Sequence, residues 1–209
     1  MAVNERPILF SDQMVRAILE NRKCVTRRVV KPQPPEWVRE FGFSYFTQPG
    51  CISACGNYGA RGPAEKWIKM PYPPGVKLWV RETWTFEKYH NIDGGDGWRE
   101  GTLKYRSDGE HLCDVGTWRP SIFMPRWASR ISLEVTGVRV ERLREITPED
   151  ARSEGIIPHA PDGWVSGDQR DVLAFSSLWD SINGKKHPWE SNPWVWVISF
   201  RKLAPESPQ

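Results

Sequence analysis

No run of about 18 apolar residues occurs anywhere in the chain, which excludes a membrane-spanning helix from the sequence expectation. The opening Met1-Ala2-Val3-Asn4-Glu5-Arg6 lacks the apolar stretch of a secretory signal, so a cytoplasmic protein with no membrane partner is expected. Cysteine is scarce, with 4 in 209 residues and no short repeated spacing, which argues against a disulfide scaffold and fits a reducing compartment. Net charge is small as well. A balance of +3 excludes a strongly basic surface, so any nucleic-acid contact must come from a local patch. Gly56-Asn57-Tyr58-Gly59-Ala60-Arg61-Gly62 is glycine-rich, but it neither follows a clear strand nor opens a helix, and it fails as a phosphate loop. No Ser/His/Asp ordering and no internal repeat stand out, and no cofactor is expected.

What the chain has in excess is tryptophan, 12 residues in all. Most lie in strand-like runs (Trp79, Trp194, Trp196) or near proline (Trp118, Trp127), where packing accounts for them and leaves one or two to face a ligand. The length favours one domain over residues 1–209. Ser11 caps a helix expected over Asp12–Asn21, with Phe10, Met14, Ala17 and Ile18 on its apolar face. Residues 32–75 are rich in Gly, Pro and aromatics with little periodicity, and read as a long excursion packed by its own rings or serving a function. Strands begin at Val76 with a continuous run to Trp84, a turn cluster at Asp93 to Gly97 and a partner at Leu103 to Arg106. Ser129 to Leu143 alternates as a strand, with Gly137 expected to bend it. Thr147-Pro148-Glu149-Asp150 opens a helix, Asp171 to Ile182 places Val172, Phe175, Leu178, Trp179 and Ile182 on one helical face, and Pro193 to Phe200 is a β-prone run.

The chemistry concentrates in Arg22-Lys23-Cys24-Val25-Thr26-Arg27-Arg28. Five basic residues fall between Arg22 and Lys31 with no acid among them. If a turn brings Lys23 and Thr26 together, the hydroxyl is a nucleophile and the amine its base, with the neighbouring arginines pushing that amine toward its neutral form. Glu82, in the strand that also carries Arg81, supplies an acid and base toward a leaving group or orients Lys23. Two plainer readings stand beside this one. The basic knot complements a helix C-terminus and Glu82 pairs with Arg81 on a sheet surface, or Arg22, Arg27, Arg28 and Arg81 hold phosphate oxygens while Trp79 stacks on a base. A weaker constellation joins Cys51, Cys55, His111 and Cys113 as soft zinc ligands, although Cys-x-x-x-Cys is not the usual tight knuckle; no metal is the principal expectation.

The succession of a helix, Asn21-Arg22-Lys23-Cys24-Val25-Thr26-Arg27-Arg28 and Gly75-Val76-Lys77-Leu78-Trp79-Val80-Arg81-Glu82 resembles the ASCH family of the PUA-like superfamily. Phe123-Met124-Pro125-Arg126-Trp127-Ala128-Ser129-Arg130 and Asn192-Pro193-Trp194-Val195-Trp196-Val197 resemble its long phage and prophage form, and the likeness runs from Ile8 to Lys202. The resemblance implies an α+β fold, a small mixed β-barrel flanked by helices, with long loop insertions at about 32–75, 91–101 and 157–169. It implies a cleft for RNA, a nucleotide or a modified base. In small bacterial members a Lys, a Thr and a Glu are the catalytic residues of an amidohydrolase that deacylates N4-acetylcytidine; Lys23 and Thr26 match that Lys-x-x-Thr motif and Glu82 is the candidate third residue. Other members are described as RNA binders or ribonucleases, so a non-catalytic nucleic-acid reader is the alternative, with a phage assembly or interaction factor as a third class. Cys24 and the insertions depart from the small members and bear on the substrate.

Overall fold

The computed structural model describes residues 5–35, 38–43, 51–56, 66–90, 98–109, 116–157 and 167–204. In chain order the elements are β1 (Glu5–Leu9), α1 (Asp12–Leu19), β2 (Val25–Val29), β3 (Val38–Phe43), β4 (Cys51–Gly56), β5 (Lys66–Lys69), β6 (Lys77–Arg81), β7 (Trp84–His90), β8 (Trp98–Tyr105), β9 (Ser132–Arg142), α2 (Pro148–Ser153), α3 (Gly167–Asn183) and β10 (Trp194–Lys202). Single 3-10 turns cover Arg106–Asp108, Ser121–Phe123 and Arg126–Ala128, among others. The fold is α+β. The chain divides into two compact units: unit 1 comprises Met1–Lys23, Val76–Glu134 and Arg201–Gln209, and unit 2 comprises Cys24–Gly75 and Val135–Phe200. Both β9 and β10 pass from one unit into the other along a single strand.

In unit 1 the strand order is β1, β6 and the first residues of β9. β1 runs parallel to β6 from Glu5↔Lys77 to Leu9↔Arg81, and β6 runs antiparallel to β9 from Lys77↔Glu134 to Trp79↔Ser132. With a strand on each side, Leu78, Trp79 and Val80 are all buried, the continuous apolar signature of an interior strand. The Ser11 hydroxyl caps α1 by accepting from the Met14 N–H, and Val15, Ala17 and Ile18 turn inward. The helix closes in Asn21, whose φ of 59° is left-handed, after which the N–H groups of Arg22 and Lys23 both donate to the Ala17 carbonyl at 2.8 and 3.0 Å. β7 and β8 form an antiparallel hairpin from Trp84↔Tyr105 to His90↔Trp98, and Trp84, Met124 and Ala128 form a local core with Phe86, Leu103 and Tyr105 against it.

Unit 2 holds the remainder of β9 beside β10, and β10 beside β2. β2 and β10 pair antiparallel from Val195↔Val29 to Ser199↔Val25. Val195 to Ile198 are all buried, and a core of Val25, Leu143, Ile146, Ala151, Phe175, Trp179, Val195 and Val197 gathers the strands and the two later helices. Thr147 caps α2 through the Asp150 N–H with Pro148 in the first turn, as its sequence requires.

Several expectations are corrected. The described residues within 32–75 hold strands where a loop is expected: β3, β4 and β5 make a three-stranded antiparallel sheet. The strand from Val76 does not run to Trp84, because pairing stops after Arg81 and restarts at Trp84, leaving Glu82 and Thr83 between two elements. β9 runs through Gly137 as a single strand, and a Cβ there would meet only the Ser199 Cβ at 3.9 Å. Ile182 is exposed at the end of α3, while Phe175 and Trp179 carry the buried face. Residues 91–97 and 158–166, within the two later insertions, and the glycine-rich turn at 57–62 lie outside the described residues.

Candidate functional site

The polar cluster of unit 1 is built around Glu82, a charged residue with 0% exposure at the break between β6 and β7. A carboxylate so placed must be compensated by hydrogen bonds and a countercharge. Arg130 supplies both. Its Nε donates to Glu82 Oε1 at 3.0 Å and its Nη2 to Oε2 at 3.1 Å, a two-point grip that fixes the plane of the carboxylate. The Ser107 hydroxyl donates to the same Oε2, and the Glu82 N–H is directed at Met124 Sδ, 3.3 Å away.

Arg130 is itself held in place. It donates to both oxygens of Asp108 and lies 3.9 Å above the Tyr105 ring. Burial opposes the charge on Arg130, but the hydrogen bonds and charges of Glu82 and Asp108 outweigh it and raise its pKa above the ordinary guanidinium value. Burial raises the Tyr105 phenol; Arg130 opposes the shift and Glu82 and Asp108 reinforce it. Tyr105 therefore stays protonated, and its hydroxyl donates to the Ala128 carbonyl at 2.9 Å. The turn at Arg106–Asp108 is tied to α1 through Arg106 with Asp12, at 2.5 Å, and through Arg16 with the Ser107 carbonyl.

Lys23 belongs to the same unit and is 3% exposed, its Nζ 5.7 Å from the centre of the Phe10 ring. The Phe10 N–H donates to the Arg81 carbonyl at 3.3 Å, so the backbone of the residue that carries Lys23 on its ring is bonded to the residue immediately before Glu82. Thr26 is buried on β2 in unit 2, opposite Ile198. Lys23 precedes β2 and Thr26 is inside it, so no helical turn joins the two.

The arginines expected to meet an external anion are engaged within the protein. Arg27 is buried and donates to Glu141 at 2.6 Å, to Asp150 at 2.7 Å and to Glu154 at 3.4 Å, which makes it the hub of an internal ion-pair cluster. Arg28 is half-buried, and desolvation lowers its pKa against the pull of Tyr72 and Glu154. Arg22 pairs with Glu20 through Nε at 2.7 Å. Arg81 does not pair with Glu82: it lies 4.6 Å over the Trp79 ring, its Nη1 donates to the Ile122 carbonyl at 3.1 Å, and its Nε is buried without an acceptor. Trp79 is buried in β6 with that guanidinium on its face, so it is not a base-stacking surface.

The zinc constellation fails on backbone geometry. Cys51 and Cys55 sit in one strand, paired with Lys69 and Glu40, and four residues of extended chain put their Cα atoms roughly 13 Å apart. Two thiolates on one zinc, with bonds of about 2.3 Å each, need a far closer approach. His111 and Cys113 lie outside the described residues, among which no group of three or more His, Cys, Asp or Glu is placed to hold a metal ion.

Sequence reasoning missed Ser107, Asp108 and Arg130. The signal for a partner was the charged Glu82 following an apolar strand, because such a residue demands one; nothing local says that it lies 48 positions on.

No family model matches the chain, and no solved structure does. A curated protein, the "Polyprenol-phosphate-mannose--protein mannosyltransferase" of Corynebacterium glutamicum, is 26% identical over 82 residues. The match covers 39% of this chain and 15% of that protein. A likeness of this extent shows neither a family nor an activity for this chain.

Proposed function

We propose that the chain is an ASCH-type, PUA-like protein that binds RNA, a nucleotide or a modified base and hydrolyses an amide on an N4-acylated cytidine-like nucleoside. The observation that carries the reading is the pair of buried ionisable side chains in unit 1, Lys23 and Glu82, with the Phe10 N–H bonded to the backbone beside Glu82 and the Phe10 ring beneath the Lys23 amine. Buried ionisable groups on a rigid frame are costly to a fold that does not use them. The α+β arrangement is compatible with a PUA-like domain.

In this reading the Thr26 hydroxyl adds to the amide carbonyl carbon while its proton passes to the Lys23 amine. Collapse of the adduct breaks the C–N bond, the departing cytosine amine takes up that proton, and water then cleaves the threonine ester to release the carboxylic acid. Thr26 enters through the family resemblance alone. Both Glu82 oxygens already accept hydrogen bonds, which suits Glu82 to holding a cation in place.

Incubation with a panel of N4-acyl cytidines, followed by chromatography of the products, tests the reading. Release of cytidine by the wild type and its loss in Lys23→Ala is the expected result, and turnover equal in the two would sink it. The internal saturation of Glu82 also favours a second reading, a reader without catalysis, which predicts oligonucleotide affinity falling steeply with salt and no turnover.

A further inference from the structure

Residues 116–130 contain Trp118, Phe123 and Trp127 with Arg119, Arg126 and Arg130, and no Asp or Glu. In unit 1 this stretch leaves large apolar side chains in water: Phe123 is 72% exposed, Trp127 66% and Ile122 57%. Trp127 is nonetheless fixed, its ring stacked on Phe86 at 6.3 Å and set edge-on to Trp84 at 5.8 Å. The exposed Arg119 rests on the same two rings, its guanidinium carbon 4.9 Å from the Trp84 centre and 5.4 Å from that of Phe86. Beside them opens a cavity of about 500 Å³, lined by Thr85, Phe86, Thr117, Trp118, Arg119 and Pro120. Packing does not account for this surface. A core residue would hide the indole, and an ordinary surface would not present it between arginines.

We propose that this shelf, Arg119, Phe86 and Trp127 with the adjoining cavity, binds the bases of a single-stranded polynucleotide. A pre-positioned indole and the Arg119 guanidinium over the Trp84 and Phe86 rings offer base-stacking faces; Arg126 is paired with Glu5 and Arg130 with Glu82 and Asp108, so the cationic face of the shelf is that of the exposed Arg119. Two contacts tie the 116–130 stretch to the candidate site: the Arg81 side chain donates to the Ile122 carbonyl, and the Glu82 N–H is directed at Met124 Sδ. The inference rests on the nucleic-acid reading above and narrows it, adding the bases of a strand to the single nucleoside that reading requires.

The test is fluorescence anisotropy of the full chain with labelled 12-nucleotide RNA and DNA strands and with abasic strands of the same length and charge, at two salt concentrations. Base-bearing strands are expected to bind at least tenfold more tightly than abasic ones. Trp127→Ala should weaken them roughly 5- to 150-fold, the equivalent of one lost stacking contact of about 1–3 kcal/mol, and leave abasic binding unchanged. Trp127→Phe should retain most of the affinity. Trp127→Leu keeps bulk against Trp84 and Phe86 but removes the π-face, and it decides the matter if the alanine variant does not fold. Equal affinity for base-bearing and abasic strands, no binding, or an unselective loss in Trp127→Leu would overturn the proposal. A preference between RNA and DNA identifies the strand without altering the site. Base-dependent binding without nucleoside turnover removes the hydrolase reading and leaves the shelf; turnover with base-independent binding does the reverse.

Discussion

Replacing Arg130 with methionine removes the only countercharge on the carboxylate of Glu82 among the described residues while keeping most of the aliphatic bulk. Stranding one member of a buried ion pair costs about 3–5 kcal/mol. The lower end applies here, since the Arg130 side chain is 28% exposed and Ser107 still donates to Glu82. A loss near 3 kcal/mol lowers the urea midpoint by roughly 1.5 M at an m-value of about 2 kcal/mol/M. In the double variant Arg130→Met with Glu82→Met the stranded charge is gone, and only the orphaned Ser107 hydroxyl and the imperfect apolar fit remain. Stability should return to within about 1–2 kcal/mol of wild type. Urea unfolding of the wild type, both single variants and the double, followed by circular dichroism, gives the coupling energy directly. A single-variant loss below about 1 kcal/mol, or a double variant whose loss is the plain sum of the two, would refute Arg130 as the group that holds Glu82.

Three further outcomes are expected. Asn21 holds a left-handed φ of 59°, so Asn21→Gly is neutral or slightly stabilising, while Asn21→Val costs about 1–2 kcal/mol and a Tm drop of roughly 2–8 °C in a thermal melt. Tyr105 has a raised pKa, so the fold favours its neutral form; that contribution is complete below the ordinary phenol value near 10 and is lost as pH rises through the higher folded value. The difference in phenolate absorption between wild type and Tyr105→Phe should therefore titrate above 10, and a midpoint at or below 10 would contradict the burial argument. Arg27→Met should destabilise the fold by bringing Glu141, Asp150 and Glu154 together without their shared cation, yet leave the salt slope of oligonucleotide binding unchanged, because Arg27 neutralises carboxylates of its own unit and no phosphate. A shallower slope in the variant would restore Arg27 as a phosphate contact.

What could be read directly from the sequence is what neighbouring residues decide. Ser11 and Asp12 before a helical apolar face mark α1, and Thr147-Pro148 marks α2, because capping is settled within four residues. The apolar run of β10 is equally plain. β3, β4 and β5 were hidden because a short strand in Gly- and Pro-rich chain owes its existence to partners, and partners are not local. The same limit governs the site. Arg27 stands in an acid-free stretch and looks like an anion receptor, but its acids arrive at positions 141, 150 and 154. Glu82 was recognisable as a charge out of place, whereas Arg130 and Ser107 become its partners only once the chain has returned.

The way β1 and β2 find their partners sets a timetable for the growing chain. β1 pairs through Ile8 with Val80, and β2 waits longer, since Thr26 lies opposite Ile198. At about 5–20 residues per second, roughly ten to thirty seconds of synthesis separate the two halves of the β2–β10 ladder. Throughout that interval Val25 to Val29 is a strand with no mate, and until positions 141 to 154 are reached Arg27 is a cation whose carboxylates have not yet been made. The segment most exposed to wrong partners during synthesis is thus the one that ends most deeply committed, and a strand of nucleic acid nearby would meet its arginines before the protein's own acids do.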